Sequence, residues 1–187
     1  LSRFEIAYDM RPNRRLQLLT DVRFSTMATY MYEDAVKLPV ALFVVELLTT
    51  VARHEHENRQ LFEFVDASID VLELDGEHTA NFHLVFMTML TRLVGIAPDE
   101  ETYAAGSWLD LREGCFTLLR PAHQDVAQPE VARRIALFLR GGFEGVAMPM
   151  NRDERNCCLD ALMDYYRLHL PSFPELKSVA ILRQLFQ

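Results

Sequence analysis

Cysteine is scarce in this sequence: three residues, Cys115, Cys157 and Cys158, in a chain of 187. An odd number supplies no disulfide framework, and the adjacent pair sits in a helical pattern where a bond between them would be strained. No CxxC spacing offers a structural zinc site. The expectation is therefore small buried hydrophobes in a reducing cytoplasm. A signal peptide and low-complexity tracts are also missing. So is any apolar run of the roughly 20 residues that a bilayer span needs. No membrane association is expected.

The motifs of catalysis are missing too. There is no HExxH. His54, Glu55, His56 and Glu57 are consecutive, so a helix would spread them around its circumference instead of aiming them at one ion. Asp75 and His78 form a single turn pair, without the paired inward motifs of a di-iron bundle. Gly141-Gly142-Phe143-Glu144-Gly145 has no Lys-Ser/Thr after it and no strand before it, which makes it a helix stop and not a phosphate loop. No nucleophile motif frames the serines or histidines. Neither an enzyme nor a cofactor is predicted.

What is present fits a globular protein. Half the residues are hydrophobic and 25% are charged, ordinary values for one core with room for a small accessory module. The net charge of −8 argues against nucleic acid on its face. Its distribution is uneven. Residues 1–24 carry a net +2, from Arg3, Arg11, Arg14, Arg15 and Arg23 against three acids, and the remainder carries −10.

Residues 3–8 alternate Phe4, Ile6 and Tyr8 with Arg3, Glu5 and Ala7, a strand of period two. Leu16 to Phe24 is a second strand, with Leu16, Leu18, Thr20, Val22 and Phe24 on one face. Two strands cannot bury a face alone, so the hairpin must complete a larger sheet or dock on helices. From about Glu33 the period becomes 3.6. Val36 to Val51 carries one stripe, with Pro39 in its first turn or at a kink, and Asn58 caps a helix ending at Asp75-Gly76. Asn81 to Gly95 is apolar over most of its circumference, with His83, Thr88, Thr91 and Arg92 as its polar edge, so it belongs at the centre of the core. Thr79 or Asn81 caps it, and Gly95 stops it. Residues 97–128 show no sustained period and are expected to hold short elements or function. Pro129 opens a helix closed by Gly141-Gly142. Asn151 and Glu154 form a capping box for a helix stopped by Pro171. A last helix carries Val179, Leu182 and Phe186. The fold class is mainly α: about six helices behind a β-hairpin.

The hairpin turn, DMRPNRR, places Arg11, Arg14 and Arg15 at one tip, where they could grip phosphates beside Tyr8 or Phe4 for base stacking. An aromatic- and Met-rich core (Phe82, Phe86, Met87, Met89) leaves open a second class of function, a helical small-molecule-binding or protein-interaction domain. Against that class, the chain offers no helix-turn-helix start, and apolar aromatics at helical spacing usually form core.

The strand pair LSRFEIAYDMRPNRRLQLLTDVRF, followed by ALFVVELLTTVAR, NFHLVFMTMLTRLVGIAP, MNRDERN and YYRLHLPSFPELKSVAILRQLF, resembles the RecO family of recombination mediators and DNA repair proteins, in the form found in Bacteroidetes. The resemblance covers the whole chain. It implies an N-terminal OB-fold followed by a helical domain, so residues 1–24 become the last strands of an OB-fold and 25–187 the helical domain. The chain starts without an initiator Met, and roughly 60 residues of OB-fold are expected before Leu1. The DMRPNRR turn becomes a loop of the kind that binds oligonucleotides in OB-folds. The resemblance further implies single- and double-stranded DNA as ligands, RecR and the SSB C-terminal tail as partners, and RecA indirectly. An acidic, aromatic tail wants an apolar pocket rimmed by cations. By charge alone Arg133, Arg134, Arg167 and Lys177 are the candidates. Many relatives carry a four-cysteine zinc site after the central helix. This chain has Cys115 alone there, so no zinc is expected, and Trp108, Leu109 and Phe116 are expected to pack that loop instead.

Overall fold

Helix α4, Phe82–Leu93, lies inside the helical body, with nine of its twelve residues buried. The computed structural model describes residues 1–14, 16–26, 30–52, 58–74 and 79–185. In chain order the elements are β1 (Arg3–Asp9), β2 (Leu18–Thr26), α1 (Tyr30–Glu33), α2 (Lys37–Val51), α3 (Arg59–Leu74), α4, β3 (Trp108–Asp110), β4 (Cys115–Thr117), β5 (Val126–Ala127), α5 (Pro129–Gly141), α6 (Arg152–His169) and α7 (Ser178–Leu185). The fold is mainly helical behind an N-terminal antiparallel hairpin. Six helices lie where the 3.6-residue period predicts them. The four-residue α1 is an addition: the Asp34 carboxylate accepts the amides of Val36 and Lys37 and closes a separate turn before α2.

Helices α2, α3, α5 and α6 all pack against α4, which explains why its stripes run around the cylinder. Of the polar edge, His83, Thr88 and Thr91 are buried, and Arg92 is exposed at the C-terminal end, where it pairs with Glu100. Thr88 donates to the Leu84 carbonyl at 2.8 Å and Thr91 to the Thr88 carbonyl at 2.6 Å, so each hydroxyl is satisfied by its own helix. His83 is also buried and meets the edge of Phe43 at 6.0 Å between ring centroids. Asn81 occupies the N-cap position but makes no capping bond. Its amide instead donates to the carbonyls of Val146 and Met148, at 3.0 and 2.6 Å. The expected cap is thus a tether, because a longer-range acceptor is available to a buried donor. At the other end Gly95 takes φ +75. The amides of Gly95 and Ile96 bond back to the carbonyls of Arg92 and Thr91, a left-handed stop that favours glycine.

Around α4 the rings of Phe64, Phe82, Phe86 and Phe143 form one cluster, with centroids 5.0 to 6.0 Å apart. Among the described residues no helix is long and apolar enough to cross a membrane.

Residues 97–128 hold a small antiparallel sheet of order β4-β3-β5. Strands of two and three residues are too short to display a period. Leu109, Leu111, Phe116 and Ala127 face the core. The loop is fastened by Asp110, whose carboxylate accepts the amides of Arg112 and Glu113 and pairs with His123 at 3.0 Å. Burial alone would raise the Asp110 pKa, yet those two amides and His123 hold it below the usual carboxylate range. Leu109 and Phe116 therefore pack as expected, whereas Trp108 is half-buried beneath the Arg120 guanidinium, 5.1 Å from its ring centroid. At Gly114, φ +65, a Cβ would lie 2.6 Å from the Tyr165 hydroxyl, so this turn requires glycine. Of the cysteines only Cys158 is buried, with its thiol pushed up to about 12 by that burial. Cys115 is half-buried and Cys157 exposed, against the expectation of three buried thiols.

Burial pushes the His83 pKa down to about 3, with the nearby Arg155 charge adding to the shift. The unfolded chain binds that proton near pH 6.5 and the folded one does not. The stability tied to His83 is complete above about pH 6.5 and is lost as pH falls, by up to about 1.4 kcal/mol per unit. Urea unfolding between pH 7 and 5 is expected to show a shallower pH slope in His83→Leu than in the wild type. Equal slopes would remove His83 from the acid response.

Candidate nucleic-acid interface

The hairpin is a two-sided ribbon. Phe4 pairs with Phe24, Ile6 with Val22 and Tyr8 with Leu19. The Phe4 and Phe24 rings are 4.7 Å apart. The polar residues Glu5 and Arg23 face each other on the opposite side. A register shift between Ala7 and Tyr8 inserts Thr20 as an extra residue, so Leu19 stands opposite Tyr8 where the alternation predicts Leu18 or Thr20. A bulge of this kind re-aims every side chain beyond it. The apolar side chains of the hairpin remain about half exposed. Arg3 joins the ribbon to α3, pairing with Asp66 at 2.5 Å and Asp70 at 2.7 Å.

The tip carries the charge. The Arg14 amide donates to the Arg11 carbonyl at 3.0 Å and closes a turn over Pro12-Asn13. Arg11 is exposed, with Asp9 3.4 Å from its guanidinium. Arg14 is exposed and has no carboxylate in ion-pair range among the described residues. The structure brings these two arginines to one turn; Arg15 lies outside the described residues. Gln17 was not anticipated. Its amide clasps the turn backbone from the β2 side, bonding Arg11 and Arg14. Nothing in the residue pattern marks it, because the bonds go to main chain.

Arg133, Arg134, Arg167 and Lys177 do not form one patch. Arg134 is buried on α5 and paired with Glu154 at the start of α6. Glu154 also completes the capping box with Asn151, so one carboxylate ties the two helices. Arg133 sits outside, 3.6 Å from Glu130. Arg167 and Lys177, by contrast, share a groove of about 850 Å³ between α6 and α7, joined there by Arg152 and Arg183. Its apolar floor includes Met163 and Leu176. Asp160 and Glu175 also line it, and Asp160 pairs with Arg183. The α7 wall is held by Glu46 of α2, which accepts the amides of Lys177 and Ser178 at 3.0 and 2.9 Å. Burial opposes ionisation of Glu46, but the Ser178 hydroxyl and these amides keep its pKa below the ordinary value. Arg152 and Arg183 were missed because their neighbourhood arises from a helix pair brought together by tertiary packing.

Among the described residues no group of three or more His, Cys, Asp or Glu converges as a metal site. His54, His56, Asp75 and His78 lie outside the described residues.

The family model "Recombination protein O C terminal" matches residues 32–179. The chain belongs to the RecO family. Its relatives include the DNA repair protein RecO of Bacteroides fragilis, 39% identical over all of this chain and 78% of that protein. The protein of that name from Phocaeicola vulgatus is 38% identical over the same shares. The one from Porphyromonas gingivalis is 36% identical over all of this chain and 77% of its own length. No solved structure matches. The RecO match spans α2 to α6 and the start of α7, so the core helix and the fastened loop lie within it, as do the α6 side of the groove and Lys177, whereas Arg183 lies beyond it. A role in DNA repair follows.

Proposed function

We propose that this RecO-family chain is a recombination mediator without catalytic chemistry. It binds single- and double-stranded DNA, anneals complementary strands and, with RecR, helps load RecA onto single strands covered by SSB. The observation that carries this reading is the similarity, along the whole of this chain, to DNA repair proteins named RecO. The exposed arginine turn supports it, because guanidiniums bind phosphate oxygens in two-pronged fashion. In this reading Arg11, Arg14 and Arg15 take the backbone. Tyr8 shares the apolar face of the ribbon with Ile6 and Val22, which suits it to packing as well as to stacking. The acidic body keeps DNA at the tip by repulsion, since duplex phosphates avoid a surface of net −10.

The α6–α7 groove is the best supported seat for an acidic, aromatic peptide such as the SSB tail. Arg167 and Lys177 would face its carboxylates, with Met163 and Leu176 beneath its ring. Arg134 stays with Glu154 and Arg133 with Glu130, outside this groove.

Annealing of complementary oligonucleotides is expected to weaken in the Arg11→Ala, Arg14→Ala, Arg15→Ala variant. Its single-strand salt slope should drop by up to about 2, near 0.7 for each phosphate that is no longer neutralised. Unchanged affinity and slope would take the turn out of the DNA site. Separately, Arg167→Ala with Lys177→Ala should weaken binding of an SSB-tail peptide about tenfold or more, with annealing of bare strands unaffected. Peptide affinity equal to wild type would move the tail elsewhere.

A further inference from the structure

A primary carboxamide offers one acceptor oxygen and two N–H donors. In Gln17 they are spent on the turn that carries the arginines. Its Oε1 accepts the Arg11 amide at 2.8 Å, and its Nε2 donates to the carbonyls of Arg11 at 3.1 Å and Arg14 at 2.9 Å. The same two residues are already joined by the Arg14 amide bonding to the Arg11 carbonyl at 3.0 Å. Both ends of the turn are therefore tied to one side chain. The backbone groups bond inward to Gln17, while the side chains of Arg11 and Arg14 are exposed.

We propose that Gln17 is a positioning residue, which holds Arg11 and Arg14 in the arrangement that receives a nucleic-acid backbone before the strand arrives. The proposal rests on reading that turn as a DNA site. Two features favour it. A free loop that bears arginines must be ordered on binding, and a loop ordered in advance keeps that cost out of the affinity. The clasp is also neutral. A carboxylate in its place could still accept the Arg11 amide, but it would set an oxygen against two carbonyls and bring a negative charge beside the phosphates. Asp9, 3.4 Å from Arg11, already competes for one guanidinium; a second acid would compete further. An amide is the side chain that satisfies an N–H and two carbonyls without drawing the arginines away from a ligand.

The test is equilibrium binding of a labelled single-stranded oligothymidylate to the full chain. It compares wild type, Gln17→Met, Gln17→Glu, the Arg11→Ala, Arg14→Ala double variant, and Gln17→Met combined with that double variant. Gln17→Met keeps length and charge, and is expected to weaken binding about three- to tenfold. Gln17→Glu should weaken it more. In the background lacking both arginines, Gln17→Met should have no further effect, the coupling that a double-mutant cycle isolates. If Gln17→Met binds like wild type while the arginine variant loses affinity, the positioning role is overturned and the DNA site stands. A loss of equal size in both backgrounds assigns Gln17 to general hairpin stability, and again overturns it. If the arginine variant itself binds like wild type, the turn is not the DNA site, and that reading fails with the proposal.

Discussion

A helix buried along nine of its twelve residues has little solvent in which to place a polar group, and this condition governs the helical body. Each buried polar atom on α4 needs an internal partner, because a buried unpaired group costs roughly 1–3 kcal/mol. The chain meets the condition by several routes. Thr88 and Thr91 bond back to their own helix. The Tyr166 hydroxyl donates to the Met87 carbonyl at 2.9 Å, giving α6 a fixed height against α4. Asn81 reaches out to the segment after α5. Removing one ring such as Phe82 or Phe86 would cost about 3–5 kcal/mol, a large share of the roughly 5–15 kcal/mol that holds a domain folded. A helix under that demand is poorly suited to carry variable chemistry. In the proposed function the working surfaces lie outside it, at the hairpin tip and at the seam between α6 and α7.

The two outlying sites are built in opposite ways. At the tip, main-chain groups are drawn inward by Gln17 and charge is left outside. In the groove the cations lie among acids, with Arg183 held by Asp160 and Arg167 by Asp164. A partly neutralised groove suits a ligand that supplies both charge and an apolar group, whereas the tip, with Asp9 as its one acid in ion-pair range among the described residues, offers chiefly positive charge. Under the proposed function, that difference suits the tip to a DNA backbone and the groove to a short acidic peptide.

Much of this was legible in the sequence, for definite reasons. Periods of 3.6 residues sustained over three or four turns located the long helices, and Asn151 with Glu154 marked a start because both halves of a capping box are local. The strands β3 to β5 were hidden because two or three residues cannot display an alternation. The bulge at Thr20 was hidden because one extra residue looks like any other in a strand. Arg134 looked like a surface cation by composition, and only the approach of α6 shows that Glu154 claims it. Arg11 and Arg14 were visible as charge on a turn; Gln17 was not, since its bonds go to backbone.

The proposed function implies a division of labour: a closed helical core organised by α4, and a DNA contact confined to the hairpin tip. Hydrogen–deuterium exchange of the full chain, with and without a saturating single-stranded oligonucleotide, tests it most directly. New protection is expected in residues 9–18, with exchange in α4 slow and unchanged by DNA. Protection spread over α2 to α6, with the tip exchanging as it does in the free protein, would contradict it.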